Sequence, residues 1–78
     1  MYERRKTPSR PPPPFGAKAE TRLPGHIKVG DYVFLNNAYR RVEDMRSDGT
    51  SRRTLIFADH LPLRVSASTI TYRPPALL

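Results

Sequence analysis

Hydrophobic residues in this chain begin to recur regularly only after position 26, and they do so in runs too short for helices. Tyr32-Val33-Phe34-Leu35, Leu55-Ile56-Phe57, Leu63 to Val65 and Ile70-Thr71-Tyr72 are each bounded by turn-forming residues. Short β-branched and aromatic runs of this kind predict strands. Asn36-Asn37 offers two residues that tolerate positive φ, which suits a tight hairpin after the first strand. The return strand runs from Ala38 to about Met45, and the odd spacing of Val42 and Met45 predicts a bulge near Glu43-Asp44. A polar loop, Arg46 to Ser51 with Asp48-Gly49 at its centre, leads into a third strand from Arg53 to Asp59. His60-Leu61-Pro62 turns the chain into a short strand at Leu63 to Val65. Ser66-Ala67-Ser68 reads as one 3₁₀ turn before the last strand, and Pro74-Pro75 ends the sheet because proline donates nothing to a ladder. Alternation places Val33, Leu35, Val42, Leu55, Phe57, Leu63, Val65 and Ile70 on inward faces.

Nothing comparable precedes Gly25. Residues 1–25 lack apolar periodicity and carry Pro11-Pro12-Pro13-Pro14, which favours polyproline II over helix or sheet. Residues 16–23 have room for at most two helical turns, too few to persist without packing. The expected organisation is a disordered, basic, proline-rich arm over 1–25 and one small β-domain over 26–78. Arg10 followed by the proline run, with Lys18 beyond, has the form of a ligand for SH3-type pockets; the alternative is a stiff spacer.

Five short strands, a tight first hairpin, a polar second loop and a 3₁₀ turn are the ingredients of an SH3-like barrel. Val29-Gly30-Asp31, then Tyr39-Arg40-Arg41-Val42, then Ile70-Thr71-Tyr72-Arg73 resemble the small SH3-like barrels of bacterial and phage genomes. They also resemble, more weakly, KOW-type modules, which share an x-G-D-x-V opening to their first strand. The resemblance covers about residues 27–73 and implies an all-β, five-stranded barrel. The glycine that KOW modules place after their first hairpin is missing, since Asn36-Asn37-Ala38 stands there, and this argues against a ribosome or polymerase role. Signalling SH3 domains bind proline peptides with paired aromatics and an acidic loop. Tyr32, Tyr39 and Tyr72 could supply aromatics here, but the loop carries Arg46, Arg52 and Arg53 in place of acid, which argues against basic proline-rich ligands.

Charge narrows the partner. The chain has 14 Lys and Arg against 7 Asp and Glu, a net +7, and eleven of the fourteen are Arg. Both the arm and the domain are net positive. Such a chain attracts polyanions, nucleic acid first and an acidic protein surface second, and the guanidinium fork suits phosphate better than an ammonium does. Codon bias in a GC-rich genome is the alternative source of so much Arg, Pro and Ala. The candidate nucleic-acid contacts are Arg40, Arg41, Arg46, Arg52 and Arg53 for phosphate and Tyr39 for base stacking. Arg4, Arg5, Lys6 and Arg10 in the arm would add electrostatic affinity. The competing picture is a solvated face whose arginines pair with Glu43, Asp44 and Asp48.

Other chemistry is thin. Cysteine is absent, so neither disulfide nor thiolate site can staple the fold. His26 and His60 lack a third clustered ligand, so no metal site is expected. Asp59-His60 with Ser66 or Ser68 could be drawn as a catalytic dyad, but so small a domain offers no deep, dry pocket. No enzymatic activity and no cofactor are expected. Four prolines stand where a signal peptide would be apolar, and no apolar stretch approaches the ~20 residues of a membrane span; a cytoplasmic protein is expected. The favoured expectation is a small nucleic-acid-binding accessory or regulatory protein from a phage or mobile element. The competing one is a protein-interaction module, an inhibitor or adaptor that binds an acidic protein surface.

Overall fold

The computed structural model describes residues 11–49 and 51–75. Asn36 and Asn37 sit at φ 49° and 64°, the left-handed pair of a type I′ turn, whose twist matches that of the strands it joins. It connects β2 (Tyr32–Leu35) to β3 (Ala38–Ser47). β3 is long because two neighbours share it: its first residues pair with β2 and its later ones with β4 (Arg53–Phe57). Where one neighbour gives way to the other, the register slips between Val42 and Asp44. This is the expected bulge. The extra residue returns Met45 to the same side of the sheet as Val42, which simple alternation would forbid.

β5 (Leu63–Val65) pairs with β4, and β6 (Thr69–Arg73) crosses back to lie beside β2 through the Tyr32↔Tyr72 pair. A further strand, β1 (Lys18–Arg22), pairs with β6 along its whole length, from Lys18↔Arg73 to Arg22↔Thr69. The result is one antiparallel, all-β sheet in the order β1-β6-β2-β3-β4-β5, with β1 and β5 at its edges.

Several expectations change. Among the described residues there are six strands where five were expected, and Lys18–Arg22 is an edge strand where a disordered arm was expected. This segment has no apolar helical face, whereas β6 offers it a row of unpaired backbone groups; pairing overrides a weak local preference. The sheet therefore begins before Gly25. Ser66 to Ser68 forms a bend and no 3₁₀ turn, with the Thr69 hydroxyl donating to the Ala67 carbonyl. A 3₁₀ turn lies instead at Pro24–His26, opened by a proline at the position where a missing N–H costs nothing; Pro14–Gly16 is a tight turn whose Phe15 and Gly16 have positive φ.

One face of the sheet is the core. Ile27, Val33, Val42, Leu55, Phe57 and Val65 form a buried cluster, with Leu35, Met45 and Leu63 packed against it. Of the expected core residues only Ile70 stands elsewhere, 48% exposed. The Tyr32↔Tyr72 pairing sets the parity of β6: it turns Thr71 inward and leaves Ile70 on the outer face beside Thr21. Thr71 is fully buried, and its hydroxyl accepts from Arg22 at 2.6 Å and reaches the Glu20 carbonyl at 3.5 Å. Hydrogen bonding on both sides makes a polar residue tolerable at that position.

A second polar contact ties the turn before β2 to the last strand. Asp31 is 1% exposed. Its carboxylate accepts the Lys28 amide at 2.9 Å and takes both forks of Arg73, Nε at 2.7 Å and a terminal nitrogen at 2.8 Å. Arg73 also donates to the His26 carbonyl. Burial alone would raise the Asp31 pKa. The Arg73 and Lys28 hydrogen bonds, with the charges of Arg73 and Arg22, outweigh it and hold the carboxyl below its ordinary value. The same pairing raises the Arg73 pKa.

Candidate functional site

Two features stand out on this scaffold: an arginine-rich end and an aromatic face. The first is built by the β3–β4 hairpin. Ser47↔Arg53 and Arg46↔Thr54 close the ladder, and Thr54 in turn faces Arg64 on β5. Strands lie about 4.8 Å apart, so Arg46 and Arg64 stand about 10 Å apart on the outer face. Arg53 points to the opposite face. Arg52 caps the loop: its side chain donates to the Asp48 carbonyl, and the Asp48 amide donates to the Arg52 carbonyl. Arg46 and Arg64 thus share the outer face at this end with the loop's single acid, Asp48, which pairs with Arg64 at 3.7 Å, and Arg52 braces the same loop. An exposed pair of that length contributes about 0–1 kcal/mol, so an incoming anion can replace the carboxylate at little cost.

The other expected contacts go elsewhere. Arg40 is on the core face opposite Val33, and its side chain is only 16% exposed. It donates to the Leu35 carbonyl at 3.1 Å and to the Asp59 carboxylate at 3.0 Å, clipping the first hairpin to the loop after β4. Arg41 shares the outer face with Tyr39 but pairs with Glu43 at 2.8 Å. The expected grouping is therefore divided: Arg41 pairs with Glu43 beside Tyr39, apart from Arg46 and Arg52. Arg4, Arg5, Lys6 and Arg10 lie outside the described residues. Sequence reasoning misses Arg64, although its place between Leu63 and Val65 marks an outward residue in a short strand.

Tyr39 belongs to the second feature. On the outer face of β2, β3 and β6, its ring meets Phe34 at 4.8 Å and Tyr72 at 4.9 Å, both edge-to-face. Tyr32 lies on the same face and has Phe15 6.4 Å away. The Tyr39 hydroxyl donates to the Pro11 carbonyl at 2.7 Å. That ring packs on its neighbours, and its hydroxyl engages the proline segment.

The histidines have structural partners. The His60 Nδ1–H donates to the Leu61 carbonyl and Nε2 accepts from the Asn36 amide, while Asp59 serves Arg40. Neither arrangement joins Asp59 to His60 or to a serine. Among the described residues no cleft is enclosed, no three His, Asp or Glu side chains converge, and no helix is long and apolar enough to cross a membrane. Comparison with protein-family models, curated proteins and solved structures gives no match.

Proposed function

We propose that this protein is a small nucleic-acid-binding module of accessory or regulatory type, on an SH3-like sheet whose bulged β3 is shared between two halves. The observation that carries the reading is that Arg46, Arg52 and Arg64 stand at one end of the sheet beside the loop's single acid, Asp48. Guanidinium groups spread over two strands and a loop fit successive phosphates. Neutralising phosphates releases condensed counterions, and this alone yields sequence-independent affinity. The basic residues of the arm add to the same attraction. No base-reading element is assigned: the interface grips backbone. The test is direct titration of labelled single- and double-stranded DNA and RNA at low salt. Micromolar binding that weakens linearly on a log–log salt plot supports the reading. Wild type that binds none of them removes it, and the charge then serves an acidic protein surface.

A further inference from the structure

We propose that the aromatic face of β2, β3 and β6 is a binding surface for polyproline II segments, occupied here by the chain's own residues 11–14 and open to competition by a proline-rich partner with acidic flanks. The inference stands apart from the phosphate-binding end.

Phe15 and Gly16 sit at φ 54° and 66°, and the Ala17 amide donates back to the Pro14 carbonyl at 3.0 Å. Two successive left-handed residues make a sharp reversal, and a phenylalanine is rarely found there. The reversal sends the prolines back over the sheet. Lys18 lies on edge strand β1, whereas Pro11 meets Tyr39 on β3; between them are β6 and β2, so the segment crosses the face. Pro13 has φ −65° and ψ 153°, which are polyproline II angles. Such a helix makes no internal hydrogen bonds, so its carbonyls point outward as acceptors, and the Tyr39 hydroxyl takes one of them. Phe15 is 77% exposed, yet its ring lies against Tyr32. Tyr32, Tyr39 and Tyr72 give the ridged, hydroxyl-edged surface on which proline rings dock, and the preformed helix loses little entropy on docking.

The acidic flank follows from charge. Arg41 lies on the same outer face, directly opposite Tyr32, in an exposed pair with Glu43 that an incoming carboxylate can exchange at little cost, and the whole chain is +7. The tethered segment is held at an effective concentration of the order of millimolar but brings basic neighbours. A partner segment with Asp or Glu beside its prolines gains attraction that the tethered one lacks.

The experiment uses the full-length, isotope-labelled protein and two synthetic peptides. One has the sequence of residues 9–17; the other is the same with glutamate in place of its arginine. Tyrosine ring resonances report binding. The Pro12→Ala/Pro13→Ala variant should bind either peptide about tenfold more tightly than wild type, the factor expected if the arm covers the face in roughly nine molecules of ten. The glutamate peptide should bind the more tightly of the two. Adding Tyr39→Phe to that variant should weaken binding several-fold while the amide spectrum stays dispersed. A folded variant that shows no ring shifts at millimolar peptide, or binds no better than wild type, overturns the proposal. Should the double variant unfold, wild type carries the test: cross-relaxation between Phe15 and Tyr32 rings must be present and must vanish as excess glutamate peptide is added. Its absence at the start, or its persistence at saturating peptide, overturns the proposal, as does a dimer in which the arm–ring contacts are intermolecular.

Discussion

At Asp31 the energetics turn on a single carboxylate. The group is buried, accepts three hydrogen bonds, and joins the turn before β2 to the end of β6. Hydrogen bonds to a charged group contribute about 1.5–3 kcal/mol, so Asp31→Asn should lower stability by about 2–3 kcal/mol. The pH dependence has a definite sign. A carboxyl whose folded pKa lies below its unfolded value of about 3.9 stabilises the fold above that value and loses the contribution as pH falls through the folded pKa. Urea midpoints should therefore drop below about pH 4 in wild type, and Asp31→Asn should flatten that part of the profile. An unchanged slope would mean the pair contributes nothing to acid unfolding. Phe57 makes the complementary apolar case, buried in the central cluster opposite Val42. Phe57→Ala should cost about 3–5 kcal/mol, enough to unfold so small a domain. A variant that keeps the wild-type melting temperature would show that the ladder is misregistered.

Among the elements, β1 changes what a truncation should do. Without a strand before Gly25, removing residues 1–22 would be harmless. With it, the deletion strips β6 of its outer neighbour and takes Arg22 from the buried Thr71 hydroxyl. An unpaired buried polar group alone costs about 1–3 kcal/mol, which for a domain of this size lowers the melting temperature by several degrees per kcal/mol. A shortened chain beginning at Leu23 should melt well below the full chain or lose its dispersed spectrum; equal melting would remove β1 from the cooperative unit. The contrast shows what local pattern can convey. The Asn36-Asn37 turn, the bulge after Val42 and the apolar register of β4 are legible because each is written within a few adjacent residues. β1 is not, because Lys18–Arg22 carries no apolar alternation and its stability comes from a strand about fifty positions away. Ile70 is misplaced for a related reason: its parity is set by Tyr72 against Tyr32, a long-range pairing. The site divides along the same line. Alternation alone puts Tyr39 and Arg41 on one face, but only the β4–β5 pairing brings Arg64 to Arg46.

For the whole molecule, net charge and the placement of charge make different predictions. A uniformly positive surface would lose affinity equally for any arginine removed. The arginines of this fold do unequal work: Arg40 is a clip inside it, while Arg52 and Arg64 stand at the open end. Removing one phosphate-binding arginine should reduce the slope of log affinity against log salt by about 0.7 for single strands and about 0.9 for duplex. Arg52→Ala combined with Arg64→Ala should therefore flatten the slope by about 1.4–1.8, with weaker binding across unrelated sequences. Arg40→Ala should leave the slope unchanged and show its effect in thermal melting, because it gives up the hydrogen bonds to Leu35 and Asp59. Binding isotherms at several salt concentrations separate the two behaviours. Equal slope changes for Arg40→Ala and for the pair, each corrected for its number of charges, would mean that affinity follows total charge. The arginine-rich end would then hold no special place in binding.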